Sequence, residues 1–202
     1  MQRFDSAELR WFFSGEPDPG LEAWFRQSFT NVAVGRRTDL YLLGTGISLN
    51  IKLREGRVEV KQRQSAENPF RVNAWVRGCR EGWVKWSFDL QAGDLAIPLA
   101  GKHPENWLPV RKKRLLRTFI PELGEITETQ AGSYPARGCN AELTFLEVNG
   151  VSWYTIALEA FGQQADRQCF LHSVADYLLD RDLPVILTEA SSYGYAEWID
   201  KL

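Results

Sequence analysis

Histidine and cysteine are scarce in this chain, at 2 and 3 residues out of 202. His103 and His172 are too few for a histidine-rich metal site. Neither stands beside a recognisable nucleophile motif, which argues against Ser-His-Asp or Cys-His chemistry. Cys79, Cys139 and Cys169 are odd in number and lack C-x-x-C spacing, so neither a disulfide framework nor a zinc site is expected. No run of ~18 apolar residues is available for a membrane span. The opening MQRFDSAELRWFF lacks the long apolar stretch of a signal peptide, and a reducing, cytoplasmic setting without a membrane partner is expected. An excess of either charge is also missing: 24 Lys and Arg oppose 26 Asp and Glu, for a net charge of −2. That balance gives neither the basicity of a nucleic-acid binder nor an acidic tail for a basic partner. Gly44-Thr45-Gly46 and the stretch from Gly15 to Gly20 lack a P-loop or dinucleotide pattern and read as turns.

What is present is an ordinary globular composition, 44% apolar and 25% charged, of a length that fits one domain over residues 1–202. Strands are expected at Ala7–Phe13, Thr38–Leu43, Leu49–Arg54, Arg57–Arg63, Phe70–Val76, Gly82–Asp89, Trp107–Phe119, Ala141–Val148 and Trp153–Phe161. Asn149-Gly150 marks a tight hairpin turn, and Glu55-Gly56 another. Helical spacing appears over Gly20–Phe29 and Ala165–Leu179, and the tail Leu183–Leu202 has room for a further short helix. Gly93–Pro109 reads as a long loop. Strands outnumber helices, so the fold class is α+β, dominated by an antiparallel sheet.

The hairpin at residues 49–63 is the most informative segment. Leu49, Ile51, Leu53, Val58 and Val60 share one face; Asn50, Lys52, Arg54, Arg57, Glu59, Lys61 and Arg63 share the other. One reading makes the charged face the wet side of a half-buried sheet. The other makes it the inner wall of a strongly curved or closed sheet, where basic residues at alternate positions converge on an anion. The basic pattern recurs at Val110-Arg111-Lys112-Lys113-Arg114, with Lys112 and Arg114 on a common face. Arginine meets phosphate oxygens in a fork and lysine as a compact charge, so several such strands would form a polyphosphate cradle.

The order of these motifs resembles that of the CYTH superfamily, the triphosphate tunnel metalloenzymes that include thiamine triphosphatase, inorganic tripolyphosphatase and class IV adenylyl cyclase. Members begin with an E-x-E-x-K strand and a helix, and continue with D-x-Y-x, L-x-I-R, lysine-ended and K-x-R strands, paired acidic strands and an S-Y segment. Here Glu8-Leu9-Arg10, Thr38-Asp39-Leu40-Tyr41-Leu42, Leu49 to Arg54, Val58-Glu59-Val60-Lys61, Val110 to Arg114, Ala141-Glu142-Leu143-Thr144, Ile156-Ala157-Leu158-Glu159 and Ser192-Tyr193-Gly194-Tyr195 follow in that order. The resemblance implies a closed or nearly closed eight-stranded tunnel barrel with a few peripheral helices. It further implies that Lys52, Arg54, Lys61, Lys112 and Arg114, with Arg63 and Arg10 as additions, hold a small phosphorylated anion. Glu8, Glu59, Glu142 and Glu159 would be the carboxylates for Mg2+ or Mn2+, with Glu8 and Glu159 catalytic. The acidic half departs from the pattern: Arg10 and Phe12 stand where a second glutamate and a lysine belong, and the later acidic strand reads Thr155, Ala157, Glu159. Magnesium bridging a phosphate needs one or two well-placed carboxylates, so a metal-dependent triphosphatase stands against a non-catalytic anion-binding or protein-interaction module.

The eight tryptophans are expected to pack between barrel wall and outer helices. Trp83 and Trp86 fall on opposite faces of one strand, so at most one of them points into a cavity; Trp75, Trp107 and Trp153 are left open.

Overall fold

A computed structural model describes residues 1–26, 32–65, 68–91, 100–122, 125–131, 133, 135–180 and 182–202, apart from the side chain of residue 122. The described elements run β1 (Gln2–Ser14), α1 (Pro19–Arg26), β2 (Ala33–Leu42), β3 (Leu49–Arg54), β4 (Arg57–Arg63), β5 (Asn68–Arg71), β6 (Arg77–Asp89), β7 (Trp107–Glu122), β8 (Glu125–Thr129), β9 (Gly138–Val148), β10 (Val151–Phe161), α2 (Gln164–Leu179) and α3 (Tyr195–Asp200). Eight strands join in the order β1-β10-β9-β7-β2-β3-β4-β6, and β6 pairs back onto β1 to close an antiparallel barrel. The strands β5 and β8 are additions, hydrogen-bonded to β6 and β7. Closure removes the free edges of the ring, in agreement with the tunnel barrel the resemblance implies.

Two hairpins set the register. Glu55 and Gly56 have φ of 49° and 76°, and Asn149 and Gly150 have φ of 50° and 76°. Two successive positive φ angles match the right-handed twist of the strands they join. The turn holds Lys52 opposite Glu59 and Asn50 opposite Lys61.

The main apolar core lies outside the barrel. Leu9 and Trp11 of β1, Leu143 of β9 and Ile156 and Leu158 of β10 cluster with Leu21, Trp24 and Phe25 of α1 and with Phe170, Leu171 and Val174 of α2. Each such side chain, fully buried, contributes roughly 1.5–3 kcal/mol. Trp11 and Trp24 therefore pack between wall and helices as expected, while Trp75 is two-thirds exposed (66%). The alternate positions on the same strands face the lumen and are largely polar. The charged side of the β3–β4 hairpin is thus the inside of a closed wall, and its apolar side faces out.

Several boundaries differ from the sequence reading. The strand expected over 70–76 ends at Arg71, because Asn73 Oδ1 accepts the backbone N–H groups of Trp75 (2.8 Å) and Val76 (2.9 Å) and bends the chain. The strand β8 was not foreseen; Ile126 pairs with Pro121 at the far end of β7. The loop expected over 93–109 lies partly outside the described residues, and its last three residues begin β7, with Pro109 opposite Leu40. The first helix starts at Pro19, and residues 27–29 of the expected span lie outside the described residues. No described helix is long and apolar enough to cross a membrane.

Candidate functional site

The inward rows of the strands enclose a cavity of about 100 Å³, room for several water molecules. Eight basic side chains line it: Arg10, Arg37, Lys52, Arg54, Lys61, Lys85, Lys112 and Arg114. Four carboxylates, Glu8, Glu59, Glu142 and Glu159, share the wall. Asp39 is a fifth, completely buried among the cations.

These groups form short-range networks. Glu142 accepts from Arg10 Nη2 at 3.2 Å through one oxygen and from Arg114 Nη1 at 3.0 Å through the other. Glu59 lies 3.1 Å from Lys52 Nζ and 3.0 Å from Arg54 Nη2. Asp39 is surrounded by Arg37 (3.0 Å), Lys112 (3.1 Å) and Lys52 (3.4 Å). Glu8 and Glu159 are direct partners across β1 and β10. Lys61 Nζ contacts Glu8, which also accepts from Ser6 Oγ at 2.7 Å, and lies 3.9 Å from Glu159. Donors are nevertheless left over. Arg10 Nη1, Arg54 Nε and the Thr144 hydroxyl are buried without a hydrogen-bond partner among the described residues.

Burial and crowding set the charge states. Burial would raise the Asp39 carboxyl, but Lys52, Lys112 and Arg37 hold it well below the usual carboxylate range. Burial likewise opposes ionisation of Glu59, yet Lys52 and Arg54 bring it to about 2. Lys112 and Lys52 show the converse effect, whereas Lys61, which burial would also lower, is held above the ordinary lysine value by Glu8 and Glu159. Burial lowers Lys112 to about 7 despite Asp39, with Arg37 and Arg10 adding to the fall, and lowers Lys52 to about 8 despite Asp39 and Glu59. Glu159 is raised by burial and then by its neighbour Glu8. The lumen is short of negative charge around its cations.

One end of the lumen is closed by the C-terminal segment. Pairing between β1 and β6 stops at Glu8–Glu81, and residues 187–193 then bond to both strands. Leu187 bridges to Val76, Ser192 Oγ accepts the Cys79 N–H at 2.8 Å, and the Tyr193 N–H donates to the Arg10 carbonyl at 3.1 Å. This path delivers α3 into the barrel end. Trp198 is fully buried there, stacked on Phe12 at 5.0 Å and edge-on to Trp153 at 5.8 Å. The Tyr195 ring forms the floor of the charged cavity, 4.8 Å from the Arg10 guanidinium and 3.9 Å from Lys112 Nζ. The approach needs glycine at 194, where a Cβ would come within 2.8 Å of Glu81 Oε2 and of the Trp83 ring.

Ten residues singled out from the sequence, Glu8, Arg10, Lys52, Arg54, Glu59, Lys61, Lys112, Arg114, Glu142 and Glu159, meet in this one cavity. Arg63 is not among its lining residues; its Nη1 pairs with Glu81 at 2.8 Å. Sequence reading missed Arg37, Lys85, Asp39, Tyr41 and Tyr195. The alternation Arg37-x-Asp39-x-Tyr41 carried a signal for β2; Tyr195 stood in the S-Y segment of the resemblance without a role, and it reaches the lumen only through the course of the tail. Trp83 lines the cavity, with Lys61 Nζ 5.6 Å from its ring centre, and Trp86 is on the opposite face.

No protein-family description matches this chain, and no curated protein matches it. Among solved structures it is similar to a conserved hypothetical protein from Pyrococcus furiosus, at 14% identity over 95% of this chain and 98% of that one, with a TM-score of 0.47.

Proposed function

We propose that the barrel lumen binds a triphosphate- or polyphosphate-type anion through the inward basic side chains of its strands, and that the protein acts as an anion-binding module. The observation that carries this is the composition of one cavity wall: eight basic side chains against four carboxylates, with Asp39 behind them and with buried guanidinium and hydroxyl donors unsatisfied. A wall serving structure alone has no use for that surplus. Moving an ion out of water costs several kcal/mol, and apolar packing of the same volume is commonly as stable or better. The far end of this barrel is packed in that apolar way.

In this reading an entering phosphoryl group displaces lumen water. Arg10, Arg54 and Arg114 offer it paired N–H donors, Lys52 and Lys112 compact charge, and Thr144 a hydroxyl. The carboxylates do not fit a divalent ion as they stand. Glu142 is held by two arginines, Glu59 by a lysine and an arginine, and Glu8 by Lys61. Among the described residues no three His, Cys, Asp or Glu side chains are placed so that they could hold one metal ion. No hydrolytic step through Mg2+ or Mn2+ is therefore derived, and Glu8 and Glu159 act as counter-charges that space the cations.

Isothermal titration calorimetry with tripolyphosphate in EDTA tests the proposal. Wild type gives saturable binding that weakens with added salt. Lys52→Ala with Arg114→Ala lowers affinity by about a hundredfold, the size expected for losing two charge-assisted contacts of ~1.5 kcal/mol each. Both substitutions leave the carboxylates partnered, Asp39 by Arg37 and Lys112, and Glu142 by Arg10. Unchanged affinity in the double variant would sink the reading.

A further inference from the structure

The carboxylate pair Glu8 and Glu159 is the place in the lumen where two acidic strands face each other directly. Two opposed carboxylates in a buried wall repel unless a cation joins them or one takes up a proton. The chain supplies that cation itself, since Lys61 Nζ touches Glu8 and stands 3.9 Å from Glu159 Oε1. The ammonium is fixed from three sides. Its strand pairs Lys61 between Asn50 and Lys85, the Trp83 ring lies 5.6 Å from it, and Ser6 Oγ anchors the Glu8 carboxylate it binds. The next inward position on β1 is Arg10, which lines the cavity and is only 6% exposed, with Nη1 buried and without a hydrogen-bond partner among the described residues. A divalent ion at the Glu8–Glu159 pair would have to expel the ammonium and then sit beside a second fixed positive charge, while needing six or more oxygen ligands or retained waters.

We propose that Lys61 is a built-in substitute for a divalent cation between Glu8 and Glu159, and that the lumen holds its anion by direct contact with Arg10 and without metal. The second half rests on the anion-binding reading above; the first half does not. The lysine gives the carboxylate pair the charge compensation a metal would give. It offers no open coordination position, so it carries no metal-bound water to activate, and the anion meets the arginine fork instead.

Mn2+ alone, followed by water-proton relaxation on the full chain without any phosphate, tests the first half. Wild type shows no enhancement at millimolar Mn2+. Lys61→Met, which keeps the length and removes the charge, binds Mn2+ at least about tenfold more tightly than wild type, and Glu159→Gln added to it abolishes the gain. Lys61→Gln serves in the same assay if Lys61→Met does not fold. Submillimolar Mn2+ binding by wild type overturns the inference, as does a folded Lys61 variant that gains none. The second half is tested by calorimetry with tripolyphosphate. Binding persists in EDTA and falls at least about tenfold in Arg10→Gln, the loss expected for one charge-assisted donor. Binding that vanishes in EDTA and returns with Mn2+ overturns the metal-free site yet keeps the anion reading. Absence of binding under both conditions defeats the anion reading and leaves the Mn2+ result to stand or fall alone.

Discussion

Along β1 the inward residues run Glu8, Arg10, Phe12; along β9 they run Glu142, Thr144, Leu146, Val148; along β7, read backwards, Arg114, Lys112, Val110, Leu108. The same strands thus build two different interiors. Near one end the wall is ionic and encloses space. At the other it is apolar and filled by Trp198, Tyr193 and Tyr195 from the tail. The β1–β10 and β2–β7 ladders run through both, so along these strands the difference lies in the side chains. The plug contributes stability by burial and excludes water beneath the charged section. The charged section buries ion pairs where apolar packing of the same volume would be as stable or more so. Stability and ligand affinity should therefore respond to substitution at opposite ends of one lumen.

The largest expected effect is on the plug. Trp198→Ala should cost about 3–5 kcal/mol in urea unfolding, as emptying a fully buried aromatic site does. A cost below about 1 kcal/mol would mean that the tail does not seal the barrel. Next comes Glu142→Gln, which leaves Arg10 and Arg114 sharing a neutral partner. It should destabilise the protein by about 1–3 kcal/mol without anion and tighten tripolyphosphate binding, because one negative charge has left the cavity. Destabilisation without tighter binding would separate the arginines from the anion site.

Lys112→Met should change stability by no more than about 1 kcal/mol, since Asp39 keeps Arg37 and Lys52 and a strained buried charge is removed. Anion affinity should nevertheless fall about tenfold. The same lysine sets a pH dependence. It titrates near 7 in the fold against an ordinary value of 10.5. Between those values the unfolded chain binds more protons, so the Lys112 contribution to stability rises as pH rises. Tripolyphosphate affinity should move the other way, weakening as pH climbs through 7–8.5 because the ammonium the anion uses is being lost. Lys112→Met should flatten this profile, and calorimetry across the range checks it. The smallest effect belongs to the outer wall: Arg111→Ala breaks an exposed pair with Glu147 and should alter stability by less than about 1 kcal/mol and affinity not at all.

The sequence shows the alternation of each strand plainly, and with it which residues share a face. That was enough for the β3–β4 and β9–β10 hairpins with their turns and for the basic rows of β3, β4 and β7, while the acidic lumen residues and Arg10 came from the order of motifs in the resemblance. It did not say which face is inside, because a solvated sheet and a charged barrel write the same period-two pattern. Closure decides that, and closure depends on β6 returning to β1, a pairing 70 or more residues apart with no local mark. The level along the barrel was equally hidden. Phe12 and Arg10 look alike in alternation, and only the arrival of Trp198 and Tyr195 separates plug from cavity. Arg63 was misplaced for the same reason: it keeps the inward parity of Lys61, but Glu81 takes it up beyond the cavity.

The most direct test of the charged section as an anion site is thermal unfolding of wild type and of the Lys52→Ala, Arg114→Ala double variant with tripolyphosphate in EDTA. Ligand at ~100 times its dissociation constant adds roughly 2.7 kcal/mol to the folded state, several degrees in melting temperature for a chain of this size. The account predicts that rise in wild type and its loss in the double variant. No rise in wild type, or an equal rise in both, would contradict it.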